Sequence, residues 1–229
     1  VLAILVLLAV VPPASAATVD ARPTPRQSLA VDLVADIRAR AAPSLSARPV
    51  MRLSAIAPLG GGITGLLVTA RRRANGRTWY RVLLSRRPNG RQGWIPAWRV
   101  RTSRNPIRIE IDLSARRLVT RRRGRPVLSA PVAIGRAAHP TPPGRYAIAE
   151  NIRTNAPGSY LGAYALALTG FSLTLTRFMG GRGRLAIHGT NRPGRIGTRA
   201  SHGCAWLARE PLVRLARMAR PGTPVVIRP

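Results

Sequence analysis

The sequence predicts a mainly β chain in two units: a small β-barrel, then a second β-rich unit that ends in one short helix. Three observations carry this reading. Between residues 50 and 101, short apolar runs are separated by Asn75-Gly76 and Pro88-Asn89-Gly90, the turn chemistry of hairpins. Ile107, Ile109, Ile111 and Leu113 alternate with polar residues, the period of a strand with one buried face. Near the C-terminus Leu212, Leu215, Ala216 and Ala219 form a helical stripe, with Pro211 in its first turn and Pro221-Gly222 past its end. At 229 residues, 45 % of them hydrophobic, the chain can bury a core, which excludes wholesale disorder.

The elements follow in order. Residues 1–17 open with VLAILVLLAVV, then Pro12-Pro13 and Ala14-Ser15-Ala16-Ala17. An apolar core, a helix breaker and a small-x-small site read as the tail of a secretory signal peptide, cleaved near Ala16 or Ala17. Export to the cell envelope, periplasm or cell wall is therefore expected, with no transmembrane segment after signal removal. Residues 18–49 are rich in Ala, Arg and Pro and read as a tether. They carry at most one amphipathic helix, from the spacing of Leu29, Leu33, Val34 and Ile37. Residues 50–102 form the barrel, with Trp79 and Trp94 as packing anchors. Residues 105–229 form the second unit, where Leu185 and Ile187 face one side of a strand and Ala186 and His188 the other.

The charge narrows the partners. There are 38 Lys+Arg against 7 Asp+Glu, a formal +31, and every basic residue is Arg. Such a surface seeks polyanions. No nucleic-acid motif appears and the arginines are spread along the chain, so anionic cell-wall polymers fit an exported protein better than nucleic acid. A single cysteine, Cys204, excludes an internal disulfide and a Cys-rich zinc site. It is either buried filler or a reactive thiol.

The residues around it favour the thiol. His188-Gly189-Thr190 is followed by a loop rich in Gly, Arg and Pro, then by Ser201-His202-Gly203-Cys204. A thiol attacks as the thiolate, so a nearby imidazole and positive surroundings are what activation requires. Gly203 lets the backbone approach a substrate, and consecutive amides around it can hold an oxyanion.

The segment IHGTNRPGRIGTRASHGCAWL resembles the signature of the YkuD-type L,D-transpeptidases: His-Gly, a spacer, then Ser/Thr-His-Gly-Cys. The likeness extends through TPPGRYAI, YLGAYALALTGF and RLARMARPGTPVVI, over roughly 120 residues. In the barrel unit, WYRVLL…RPNGRQGWIPAWRV is similar to bacterial SH3-type domains, modules that bind wall peptides or pack beside a catalytic domain. The resemblance implies a YkuD-type β-sandwich with a short C-terminal helix, preceded by an SH3-like barrel. It also implies action on peptidoglycan stem peptides without a metal or organic cofactor. By position Cys204 matches the nucleophile, His188 the proton donor and acceptor, and Gly189 the backbone carbonyl that orients it. His202, Gly203 and Cys204 match the oxyanion hole, and Ser201 and Tyr160 fall among the substrate-binding positions, Tyr160 in the lid. Trp206 stands where the family usually has Arg or Asn, which bears on substrate choice more than on reaction type. His139 matches no role and reads as an exposed loop residue.

The implied reaction is a 3→3 cross-link through a Cys204 acyl-enzyme with release of D-alanine. Capture by water would make an L,D-carboxypeptidase instead. A non-catalytic wall-binding protein, with Cys204 inert, is the reading that Trp206 favours.

Overall fold

The computed structural model describes residues 18–19, 21–154, 158–178 and 180–229. The proposed signal peptide lies outside them. The N-terminal unit contains β1 (Thr18–Val19), β2 (Ser28–Leu33), β3 (Ile37–Arg40), β4 (Pro49–Leu53), β5 (Gly65–Ala74), β6 (Arg77–Leu83), β7 (Gln92–Pro96) and β8 (Val100–Asn105). They run in the order β4-β3-β7-β6-β5-β2-β8, with β1 added on β5, and every pair is antiparallel. Val31, Leu33, Ile37, Val68, Val82, Leu84 and Ile95 fill its core. Trp79 and Trp94 are buried with Ala70 in a smaller cluster.

This corrects the expected tether. Residues 18–49 supply β1, β2, β3 and the first residue of β4, and no helix forms among the described ones. The helical stripe fails on burial: Val34 is 51 % exposed, whereas Ala30, Val31 and Leu33 are enclosed. A strand covered on both faces reads as a continuous apolar run, and over six residues its period cannot be told from a helix. The N-terminal unit thus begins well before residue 50, and its strand path has two ends, β4 and β8.

The second unit holds β9 (Ile107–Asp112), β10 (Arg117–Arg122), β11 (Arg125–Pro131), β12 (Ile134–Gly135), β13 (Gly144–Arg153), β14 (Tyr164–Phe171), β15 (Arg184–His188), β16 (Arg199–Ser201), β17 (Ala205–Trp206), α1 (Arg209–Met218) and β18 (Pro224–Arg228). The strand order is β11-β10-β9-β18-β13-β14-β15-β17, with a β12–β16 pair beside it. β13 changes partner along its length: residues 144–147 pair with β18, and from Ile148 onward it pairs with β14 across a register shift. That irregularity bends the sheet into two layers. Ile109, Ile111 and Leu118 of one layer share a core with Leu166, Leu185 and Ile187 of the other. Helix α1 closes one end through Leu212, Leu215 and Ala216.

Only Pro106 separates the units, and the joint is buried. Asn105, 1 % exposed, donates to Thr223 Oγ1 at 2.9 Å. Leu67 and Leu83 pack on Ala147 across the seam. Glu150, buried at the bend of β13, accepts the Leu59 and Gly60 amides at 2.8 and 2.9 Å and pairs with Arg184 at 3.1 Å. A carboxylate so enclosed is tolerated because amides and a guanidinium answer both its oxygens.

Candidate active site

The site grows from one pair of strands. β15 and β17 run parallel, with Ile187 opposite Ala205 and His188 opposite Trp206. Side chains alternate, and neighbours in register share a face. Leu185, Ile187, Ala205 and Leu207 point into the core. Ala186, His188, Cys204 and Trp206 therefore share the other face, which puts the thiol and the imidazole on one side of the sheet, two residues apart in register.

His188 is 2 % exposed, and its Nδ1 lies 2.6 Å from the Gly189 carbonyl. A carbonyl can only accept, so Nδ1 donates and the neutral ring leaves Nε2 as the acceptor. Burial lowers the His188 pKa to about 4, against a smaller upward pull from the Gly189 bond. The Cys204 residue is partly exposed, yet its thiol is enclosed; burial pushes it up to about 11, opposed by a hydrogen bond with the Ala186 backbone. Both groups rest uncharged near neutrality.

Tyr160 covers this pair. Its ring centroid is 5.6 Å from His188 and 5.8 Å, edge-on, from Trp206; Trp206 in turn is 6.1 Å from His188. Burial raises the Tyr160 hydroxyl pKa, an ionised Cys204 would add to that, and Arg192 opposes both. The loop carrying Tyr160 is seated by backbone contact. Gly189 N–H donates to Leu161 O at 2.7 Å, and a Cβ on Gly162 would come within 2.7 Å of the Gly189 Cα. Two glycines meet where no side chain fits. A cavity of about 480 Å³ opens beside this contact, reached by Ser159, Thr190 and Arg209. The larger groove of about 560 Å³ between the units shares no lining residue with it.

The turn presenting Cys204 is tied by Ser201. Its hydroxyl donates to Cys204 O at 2.6 Å and accepts from Gly203 N–H at 3.0 Å, and Ser201 is fully buried. Its expected role in substrate binding is thus corrected to organising the turn. The Gly203 amide, expected in the oxyanion hole, points at Ser201 instead. Gly203 has φ +114°, which the turn requires and an L side chain resists.

A second wall stands on the other side. His202 stacks on His139 at 5.3 Å, and Phe178 lies 5.1 Å from His202. His139 is half-buried and its Nδ1 is 3.0 Å from Thr174 Oγ1, so it is not the exposed loop residue expected. His202 Nδ1 is buried with no partner among the described residues, and burial, then Arg136 and His139, lowers its pKa. Trp206, expected to touch substrate, is only 3 % exposed, and its indole N–H has no partner among the described residues.

The model of the YkuD L,D-transpeptidase catalytic domain matches residues 106–227. The chain belongs to the YkuD family. It is 34 % identical over 124 residues to L,D-transpeptidase YkuD of Bacillus licheniformis, covering 54 % of this chain and 67 % of that one. With the Bacillus subtilis protein of the same name it is 30 % identical over 122 residues, or 53 % and 66 % of the two chains. Among solved structures, an Enterococcus faecium L,D-transpeptidase matches with TM-score 0.42 and 20 % identity over 53 % of this chain. The match spans about half, 49 %, of that chain. L,D-transpeptidase 3 of Mycobacterium tuberculosis matches with TM-score 0.45 and 17 % identity, covering 71 % and 73 %. Membership rests on the sequence match.

Proposed function

We propose that this YkuD-family protein is a peptidoglycan L,D-transpeptidase with Cys204 as nucleophile and His188 as base. The observation that carries this is the shared face of β15 and β17, which presents the thiol and the buried imidazole on one side, with Tyr160 against the imidazole. His188 Nε2 takes the thiol proton as sulfur attacks the carbonyl between the third stem residue and terminal D-alanine. The thioester forms, the amide C–N bond breaks, and the same proton leaves on the D-alanine amine. The side-chain amine of a second stem then attacks the thioester, giving the 3→3 amide and restoring the thiol. With the Gly203 amide bound to Ser201, the amides of His202 and Cys204 are the donors left for the oxyanion. The uncharged resting pair fits proton transfer during attack rather than a stored thiolate.

Export to the envelope, and retention there by an Arg-rich surface among anionic wall polymers, complete the proposal. The test is mass analysis of products from a purified tetrapeptide muropeptide. A dimer lacking one D-alanine supports transpeptidation, a tripeptide alone gives carboxypeptidase, and unchanged substrate with unmodified Cys204 defeats both.

A further inference from the structure

The loop between β14 and β15, residues 172–183, carries two members of the second wall: Thr174 against His139 and Phe178 against His202. Among its described residues the internal bonds are chiefly Ser172 Oγ accepting from the Thr174 and Leu175 amides, Ser172 N–H donating to Gly183 O, and a Phe178–Gly181 bridge. Its carbonyls turn instead to one side chain of the N-terminal unit. Arg87 Nη1 donates to Ser172 O at 2.5 Å, and Nη2 donates to Leu175 O at 2.9 Å and Arg182 O at 3.2 Å. The same guanidinium lies 5.0 Å from the Phe171 ring. Two residues on, Asn89 pairs with the Phe171 backbone in both directions at 2.8 Å, as a neighbouring strand would.

A planar guanidinium can serve three carbonyls from a fixed fork; an ammonium on a flexible stem cannot reproduce that. We propose that the N-terminal unit is a working part of the active site, in which Arg87, seconded by Asn89, is a positioning residue. It holds the 172–183 loop so that Phe178 and Thr174 set His202 and His139 beside the turn of Cys204. The catalytic unit alone would keep thiol and base but lose the shape of this wall. This rests on the reading of Cys204 as nucleophile for its kinetic consequence, though not for the placement of the histidines.

The full chain tests it with Arg87→Ala, Arg87→Lys and Asn89→Ala. The protein has three histidines, so imidazole proton NMR resolves each wall. Arg87→Ala is expected to shift the His139 and His202 signals and leave His188 in place. Acylation of Cys204 by a carbapenem should fall by between about tenfold and a hundredfold, mainly in the saturation constant, while alkylation by iodoacetamide keeps its pH profile within about twofold. Arg87→Lys should not rescue the loss, and Asn89→Ala should show a smaller version of it. Unmoved His139 and His202 signals overturn the proposal, as does an equal loss with both reagents, which marks general loosening. A wild-type chain that no reagent modifies defeats the nucleophile reading, and the NMR arm still decides the clamp.

Discussion

The two walls of the cleft are built differently. The His188 wall belongs wholly to the catalytic unit: its ring is 2 % exposed, tied to Gly189, and enclosed by Tyr160 and Trp206. The His202 wall is half open, stacked on His139, and held from outside through Arg87 and Asn89. His202 is the nearer to Cys204 in sequence, yet His188 has the fixed tautomer and the shared face. In the proposed mechanism, strand register rather than proximity along the chain selects the imidazole that serves the thiol.

The first wall breaks most easily at its floor. Trp206→Ala removes a buried indole beneath Tyr160 and His188, with an expected cost of about 3–5 kcal/mol read by urea unfolding. Trp206→Phe, which keeps a ring and removes the unpartnered N–H, should retain most of that stability. A Trp206→Ala loss below about 1 kcal/mol would mean the site collapses without strain.

Acid sharpens the contrast. The folded His188 titrates at about 4 and the free side chain at 6.5. Between those values the unfolded chain binds a proton that the folded chain refuses. Stability is therefore full above 6.5 and falls with pH, by about 3 kcal/mol near pH 4. His188→Gln should remove that component from the pH dependence of the urea midpoint. An unchanged slope in the variant would show that His188 is not held neutral.

The turn between the walls is expected to matter less. Ser201→Ala leaves the Gly203 amide and the Cys204 carbonyl without their hydroxyl partner, at a cost of about 1–3 kcal/mol in unfolding free energy. Acylation by a carbapenem should slow alongside, since the turn sets the sulfur. A variant matching wild type in both measurements would show that water replaces the hydroxyl.

Much of the His188 wall was legible in the sequence, because alternation is local. The pattern Leu185, Ile187 against Ala186, His188 already placed the imidazole off the core face, and the apolar stripe from Leu212 to Ala219 marked the one α-helix among the described residues. The His202 wall was not legible. Its supports, Arg87 with Leu175 and Asn89 with Phe171, lie 88 and 82 residues apart, and no periodicity reports such contacts. Ser201 was misread for a related reason: its place in the motif gave no sign that its hydroxyl is consumed inside the turn. The strand at 28–33 was lost because a strand covered on both faces has no clean period, and the one at 37–40, which does alternate, is only four residues long.

The division of labour between the two histidines is the central claim. Its most direct measurement is the rate of Cys204 acylation against pH for folded His188→Gln and His202→Gln, with Cys204→Ala as blank. His188→Gln should lose at least about a hundredfold, the low end of general-base contributions, and with it the rise through acid pH. His202→Gln should keep the wild-type profile with a smaller change in rate. If His188→Gln retains that profile and His202→Gln loses it, the base is His202 and the account is wrong.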